Sequence, residues 1–233
     1  MTPYEGKAKR VSPEAPGAVS IFFKNDATAF NGQKHAQFEG KGALNAEIST
    51  RLFKYLATKG VKTHFLEKTG PETLRCLSVE IIPIEVVVRF AVAGSLAKRT
   101  GLPDGTPVDP PLVELYFKSD PLGDPMLNDE HVAMMKLCTP AELGEIREQA
   151  RHAAGLLRTR FAAAGISLID LKFEFGRADG KIILADEISP DTCRFHDAKT
   201  GVSLDKDTFR KDSGDLLAAY REVLTRLDRA GVH

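Results

Sequence analysis

The chain has 233 residues, 42% hydrophobic and 27% charged, and its 32 basic and 32 acidic side chains cancel. That length suits one large domain or two small ones, and a zero net charge argues against general affinity for nucleic acid or an anionic membrane. No apolar stretch approaches the ~20 residues that span a bilayer, the N-terminus lacks a signal-peptide core, and Cys76, Cys138 and Cys193 show neither disulfide nor zinc spacing, so the chain reads as cytoplasmic.

The segment Tyr4-Glu5-Gly6-Lys7-Ala8-Lys9-Arg10 opens the chain. Gly6 permits close backbone approach, and in a strand Lys7 and Lys9 would share one face as a clamp for a polyphosphate. It is not a Walker loop, and a solvated basic tail is the plain alternative. Val19 to Phe23 and Glu80 to Ala93 are rich in β-branched and aromatic residues and predict strands. Pro83 predicts an edge, bulge or bend in the second. Between them Leu44, Ile48, Leu52 and Leu56, with Phe53, form a helical stripe that ends at Gly60. Leu102 to Pro111 reads as a loop, Val113 to Phe117 as a short strand, and Lys118 to Glu130 as a polar loop. Thr139, Pro140 and Glu142 form a capping box, opening a helix whose stripe is Leu143, Ile146, Ala150, Ala153, Leu157 and Phe161. Gly165 ends it. A last helix spans about Ser213 to Ala230. Strands grouped with strands, plus a few helices, argue for an α+β fold, with a seam near residues 80–86 or one bent sheet running through it.

The most informative stretch is Leu168-Ile169-Asp170-Leu171-Lys172-Phe173-Glu174-Phe175. Strict alternation puts Ile169, Leu171, Phe173 and Phe175 on one face and Asp170, Lys172 and Glu174 on the other. Three ionisable groups in a row suit the floor of a site. A second acidic cluster follows, Asp186-Glu187-Ile188-Ser189-Pro190-Asp191. A three-residue loop at Ala178-Asp179-Gly180 pairs Arg177 with Lys181, Lys172 with Asp186 and Glu174 with Leu184. Glu174 and Asp186 then become diagonal neighbours, roughly 7–8 Å apart, able to share a divalent cation. A two-residue Asp-Gly turn would send Asp186 to the opposite face. The plain alternative is a cross-strand Lys172–Asp186 ion pair on a wet sheet, worth little.

Arg89 lies among Val87, Ala91 and Ala93, so its guanidinium needs an anion. That anion is either Glu85 or another internal carboxylate, or a ligand carboxylate or phosphate bound bidentately. A helix opening at Gly94-Ser95 would add N-terminal amides and the Ser95 hydroxyl. Arg194 supplies a second anion contact. The six histidines show no metal spacing, and only His196 falls near the proposed site.

Together these blocks carry a resemblance: YEGKAKR at 4–10, NDATAFNG at 25–32, GKGALNAEIS at 40–49, IIPIEVVVR and AGSLAKR within 81–99, LIDLKFEFG at 168–176 and LADEISPDTCR at 184–194. In this order, from Tyr4 to about Leu227, the chain resembles the SAICAR synthetase family. The resemblance implies an ATP- and Mg²⁺-dependent ligase that joins L-aspartate to carboxyaminoimidazole ribonucleotide (CAIR), giving SAICAR, ADP and phosphate through an acyl phosphate. It implies an N-terminal antiparallel lobe over the nucleotide, residues 1–82, related to ATP-grasp and kinase small lobes. A substrate- and metal-binding α+β lobe with a C-terminal helix follows, residues 83–233. By resemblance Gly6, Lys7, Ala8, Lys9, Glu80, Ile81 and Lys118 meet ATP, and Glu174 and Asp186 hold the metal. Arg89, Ser95, Asp170, Asp191 and Arg194 meet the substrate, and Lys172 lies between the substrates. Phe90 stands where the family often has asparagine, Phe195-His196 where it has Leu-Trp, and Asn31 where some members have aspartate. A homodimer is the expected assembly. A small-molecule kinase and a nucleotide-binding module without activity are the rival readings.

Overall fold

The computed structural model describes residues 3–14, 16–29 and 34–231; Asn31 lies outside them. In chain order the strands are β1 Tyr4–Glu5, β2 Lys9–Pro13, β3 Ala18–Phe23, β4 Asp26–Ala29, β5 Lys34–Gln37, β6 Phe65–Gly70, β7 Thr73–Leu77, β8 Glu80–Ala91, β9 Pro107–Phe117, β10 Met126–Leu127, β11 Ile166–Ala178, β12 Lys181–Ala185 and β13 Cys193–Asp197. The helices are α1 Lys41–Thr58, α2 Ser95–Thr100, α3 Asp129–Met134, α4 Pro140–Ala163, α5 Asp207–Arg210 and α6 Leu216–Arg229. A smaller sheet has the order β1-β2-β3-β7-β6, and a central sheet has β10-β9-β8-β11-β12 with β13 also paired to β11. All their ladders are antiparallel, so the α+β expectation holds.

The long strand β11 organises the molecule. One edge pairs with β8 from Asp170 to Arg177. The other is divided: Ile166 to Leu171 pair with β13, and Glu174 to Ala178 pair with β12. The chain between β12 and β13, residues 186–192, therefore leaves the sheet in the middle of β11, beside Lys172. The buried face of the sheet packs against α1, α4 and α6 through one core that includes Leu52, Val86, Leu157, Phe173 and Val223. α1 also reaches the smaller sheet, where Ala46 joins Ile21, Phe23, Leu74 and Cys76. The approach is close: a Cβ on Gly42 would lie 2.3 Å from the Phe23 carbonyl oxygen.

The capping box of α4 forms as the sequence predicts. The Glu142 N–H donates to Thr139 Oγ1 (3.2 Å), and the Thr139 N–H donates to Glu142 Oε2 (2.8 Å). The predicted stripe is buried throughout, and α6 is capped by Asp215. Pro83 falls where the β8–β11 ladder skips from Glu85–Glu174 to Ile81–Gly176.

Several expectations need correction. Residues 107–111 are strand, not loop. Of these, Pro107 pairs with Ala91 of β8 across a register shift that follows Arg89–Leu112, and β10 meets β9 at Leu115 and Tyr116; prolines without N–H groups are tolerated on such an irregular edge. The expected polar loop after Lys118 holds a 3₁₀ turn at Asp120–Leu122, β10 and the start of α3. Ile169 does not share the core face. A bulge between Leu168 and Asp170 puts Leu168 into the main core, while Ile169 packs with Ala91 and Ala93. Phe90 and Phe195 are core residues. The Arg158 guanidinium lies 4.8 Å from the Phe90 ring centroid, and the Phe195 and Phe161 centroids are 4.5 Å apart.

Candidate active site

The hairpin that carries the two acidic clusters has a two-residue turn. Asp179 and Gly180 both adopt positive φ, 49° and 70°, which is the type I′ pattern for an Asp-Gly turn. Ala178 therefore pairs with Lys181, and Glu174 with Ala185. The three-residue loop expected from sequence is not formed, and Lys172 does not face Asp186. The alternation rule alone would now send Asp186 to the far face. It does not apply, because β12 ends at Ala185 and Asp186 takes φ 64°. This left-handed step turns its carboxylate back toward the cleft. Non-glycine residues pay strain for that conformation, which marks functional positions often enough to be informative.

Glu174 and Asp186 consequently line one cavity of about 910 Å³, together with Glu85, Lys118, Lys172 and Glu187. Lys9 Nζ bonds Asp186 Oδ1 and lies 2.8 Å from Glu187 Oε1. Lys118 Nζ bonds Glu174 Oε2. Lys172 Nζ lies 2.7 Å from Glu85 Oε1 and 3.1 Å from Glu174 Oε1. Three ammonium groups thus interleave with four carboxylates. Burial would raise the Asp186 carboxyl, but Lys9, Lys172 and Lys118 overcome it and hold the group well below the usual range. Burial would likewise lower Lys172, yet Glu174, Asp186 and Glu85 keep it well above its ordinary value. Lys9 is raised in the same way, by Asp186 and Glu187 against burial. These groups stay ionised at neutral pH. The motif places fixed charge rather than supplying a neutral acid or base.

The outer part of this cavity is apolar, with Val11, Val19, Ile21, Leu77, Val79 and Ile81. The turn joining β1 to β2 sits over it. Lys7 and Lys9 do not share a strand face as expected: the Gly6 N–H donates to Lys9 O, so Lys7 lies in the turn and Lys9 in β2. Both line the cavity, with Gly6 and Ala8, and Lys7 reaches Asp120 at 2.7 Å. The Glu80 side chain is outside it, 3.0 Å from Arg177.

A second cavity, about 300 Å³, is lined by Arg89, Ser95, Asp170, Asp191, Arg194 and Arg210 among others. Arg89 is 3% exposed, and its anions are internal. Nε donates to Glu114 Oε2 at 2.6 Å and Nη1 to Asp170, while Nη2 donates to Ser95 Oγ at 3.1 Å. Arg194 donates to Asp170 (2.8 Å) and Asp207 (3.2 Å). Gly94, at φ 56°, passes so close to Arg194 that a Cβ would lie 2.7 Å from Nη2. Asp191 bonds buried Lys41 at 2.5 Å and accepts from Tyr220 at 2.6 Å. His196 lines neither cavity; His64 lines the larger one, its Nε2 3.0 Å from Asp186 O.

Glu85, Lys172, Asp191, Thr192 and Arg210 line both cavities. One long cleft therefore has an apolar, lysine-edged end and a guanidinium-rich end, with Lys172 between them. Sequence reading passed over Glu187, Lys41, Lys206 and Arg210 as site residues. Glu85 was visible only as an alternative partner for Arg89, through its i, i+4 position on the same strand face. Lys41 carried no signal, since only the fold brings it to Asp191.

A family model described as SAICAR synthetase matches residues 2–227. A phosphoribosylaminoimidazole-succinocarboxamide synthase of Thermococcus sibiricus is 54% identical over 228 residues, covering 97% of each chain. One of Clostridium perfringens is 50% identical over 225 residues, covering 96% of each. A solved structure described as a Type-2 SAICAR synthetase in complex with ADP superposes with a TM-score of 0.95 at 49% identity, covering 97% of both chains. With similarity running nearly end to end in both sequence and coordinates, the chain belongs to the SAICAR synthetase family.

Proposed function

We infer that the chain performs its family's reaction, ATP-dependent joining of L-aspartate to CAIR, and propose how the cleft divides the work. The observation that carries this reading is the pair of cavities sharing one wall at Lys172. The apolar end takes the adenine, and the β1–β2 turn with Lys7 and Lys9 covers the phosphates. The guanidinium end, with Arg194 and Ser95, takes the ribonucleotide phosphate; Arg89 and Asp170 form its floor and keep Arg194 in place. The CAIR carboxylate then lies beside Lys172. Its oxygen attacks the γ-phosphorus and ADP departs, forming an acyl phosphate. The aspartate nitrogen attacks the acyl carbon, the C–O bond to phosphate breaks with its electron pair leaving on phosphate, and the amine loses its proton to water. The protein contributes position and fixed charge, the main requirements of phosphoryl transfer.

Glu174 and Asp186 suit Mg²⁺. They are hard oxygen donors in one cavity, each already facing a cation. Among the described residues no three His, Cys, Asp or Glu side chains form a cage. That suits an ion that takes one or two carboxylates and completes its shell with phosphate oxygens and water. When bound, the ion would neutralise charge on the phosphates.

The two-lobe division at residues 82 and 83, a homodimer and a cytoplasmic location belong to the same proposal. The smaller sheet ends by Leu77, which supports the first. No helix among the described residues is long and apolar enough to cross a membrane.

Phosphate release from CAIR, ATP and Mg²⁺, measured with and without L-aspartate, tests the reaction. Release should require aspartate; equal release without it, or a phosphorylated CAIR product, would refute the reading. Glu174→Gln and Asp186→Asn should each lower turnover by at least about 100-fold, the scale of losing one charge-stabilising contact at a reacting centre. Near-normal rates at low magnesium would remove the metal role.

A further inference from the structure

The cleft wall contains a cation with no hydrogen-bond or ion-pair partner among the described residues. Lys206 precedes α5 and is 9% exposed. It lines the larger cavity beside Glu187, Asp191, Thr192 and Arg210. Its N–H donates to Pro190 O (3.2 Å), which holds the stem. Its ammonium makes no hydrogen bond or ion pair with any described residue. Asp191 is close enough to act on it but is already shared between Lys41 and Tyr220. Burial, with Lys41 and Arg210 as like charges, pushes Lys206 below its ordinary value against the pull of Asp191 and Glu187. An arriving anion would relieve that cost, since a buried unpaired ammonium is unfavourable. Four residues on, Arg210 commits Nη1 to Asp207 at 2.6 Å and lines both cavities.

We propose that Lys206, with Arg210, holds a carboxylate of L-aspartate so that its amine meets the activated carboxyl carbon beside Lys172. This rests on the reaction inferred above. The anions of the other two substrates are provided for elsewhere: nucleotide phosphates under Lys7 and Lys9, and the ribonucleotide phosphate at Arg194 and Ser95. The wall formed by Asp191, Thr192 and Arg210 is common to both cavities, so a third reactant entering along it arrives at the junction. Aspartate must lose its ammonium proton before it can attack. At that moment it is a dianion, and the Lys206 ammonium, which has no carboxylate of its own among the described residues, with Arg210, only one of whose terminal nitrogens is committed to Asp207, would favour it there.

Steady-state kinetics of Lys206→Gln and Lys206→Met, with CAIR, ATP and Mg²⁺, test the assignment. The KM for L-aspartate should rise about ten- to a hundredfold, the scale of one lost charge-assisted hydrogen bond. The KM values for ATP and CAIR should stay within about twofold, and the preference for L-aspartate over L-alanine should shrink. An unchanged aspartate KM, or an equal rise for ATP or CAIR, overturns the proposal. A second measurement uses the unaltered protein and does not depend on variant folding. Acetic anhydride labelling, read by mass spectrometry, should modify Lys206, and succinate, which has both carboxylates and no amine, should protect it. No labelling, or labelling that saturating succinate leaves unchanged, also overturns it. Phosphate release independent of aspartate in the unaltered protein would instead sink the reaction on which the proposal stands.

Discussion

Arg89→Met should unfold the protein earlier on heating, in addition to weakening ribonucleotide binding. The side chain is 3% exposed and sits between Glu114 and Asp170, themselves 3% and 4% exposed. Removing one partner of a buried ion pair costs about 3–5 kcal/mol, mostly because the other charge stays buried and uncompensated. Here neither carboxylate is wholly stranded. Glu114 keeps Arg99 and a hydrogen bond from Tyr116 OH at 2.9 Å. Asp170 keeps Arg194 at 2.8 Å. The cost therefore falls at the low end, about 3 kcal/mol. For a chain of this size 1 kcal/mol moves the melting temperature by about 2–4 °C, so the expected loss is roughly 6–12 °C. Calorimetry without ligands measures it, and the CAIR KM is then taken well below the lower transition. The double variant Arg89→Met/Glu114→Gln should be less destabilised than the two single changes added together, because it removes a carboxylate that the first change left underpaired. A single variant melting within about 2 °C of the unaltered protein would refute the argument that this network carries stability.

Glu142 makes the α4 capping box and pairs with Arg177, which, with the Thr139 N–H, hold its carboxyl down from 4.5 to about 2. A depressed folded-state value means its contribution is present above pH 4.5 and is lost as the pH falls toward 2. Glu142→Gln should lower the melting temperature at neutral pH, and the difference from the unaltered protein should close by pH 2; a difference independent of pH would contradict this. Gly94→Ala places a methyl group against Arg194 at φ 56°, ψ −120°, a sparsely populated backbone region for a residue with a side chain, costing about 1–3 kcal/mol of strain. The CAIR KM should rise while the ATP KM holds; an equal change in both would show that Gly94 acts on the fold rather than on Arg194.

What the sequence by itself determined is local. The α4 capping box and stripe depend on neighbours three and four residues apart, and those neighbours are fixed by the helix itself. The charged face of Asp170, Lys172 and Glu174 follows from the period of a strand, and the family blocks point to the reaction. Only the tertiary structure decided which partners those charges meet. The hairpin took the shorter turn, and by alternation Asp186 should have been lost to the site. It was recovered because the strand stops one residue before it and the backbone steps to φ 64°, a change that no periodic pattern encodes. Lys41 reaches Asp191 from the start of α1, and Lys206, just before α5, comes into the same cavity, because the fold packs those segments together. Period is a property of one element. Where an element ends, and what stands across the cleft, depends on every other element competing for the same space.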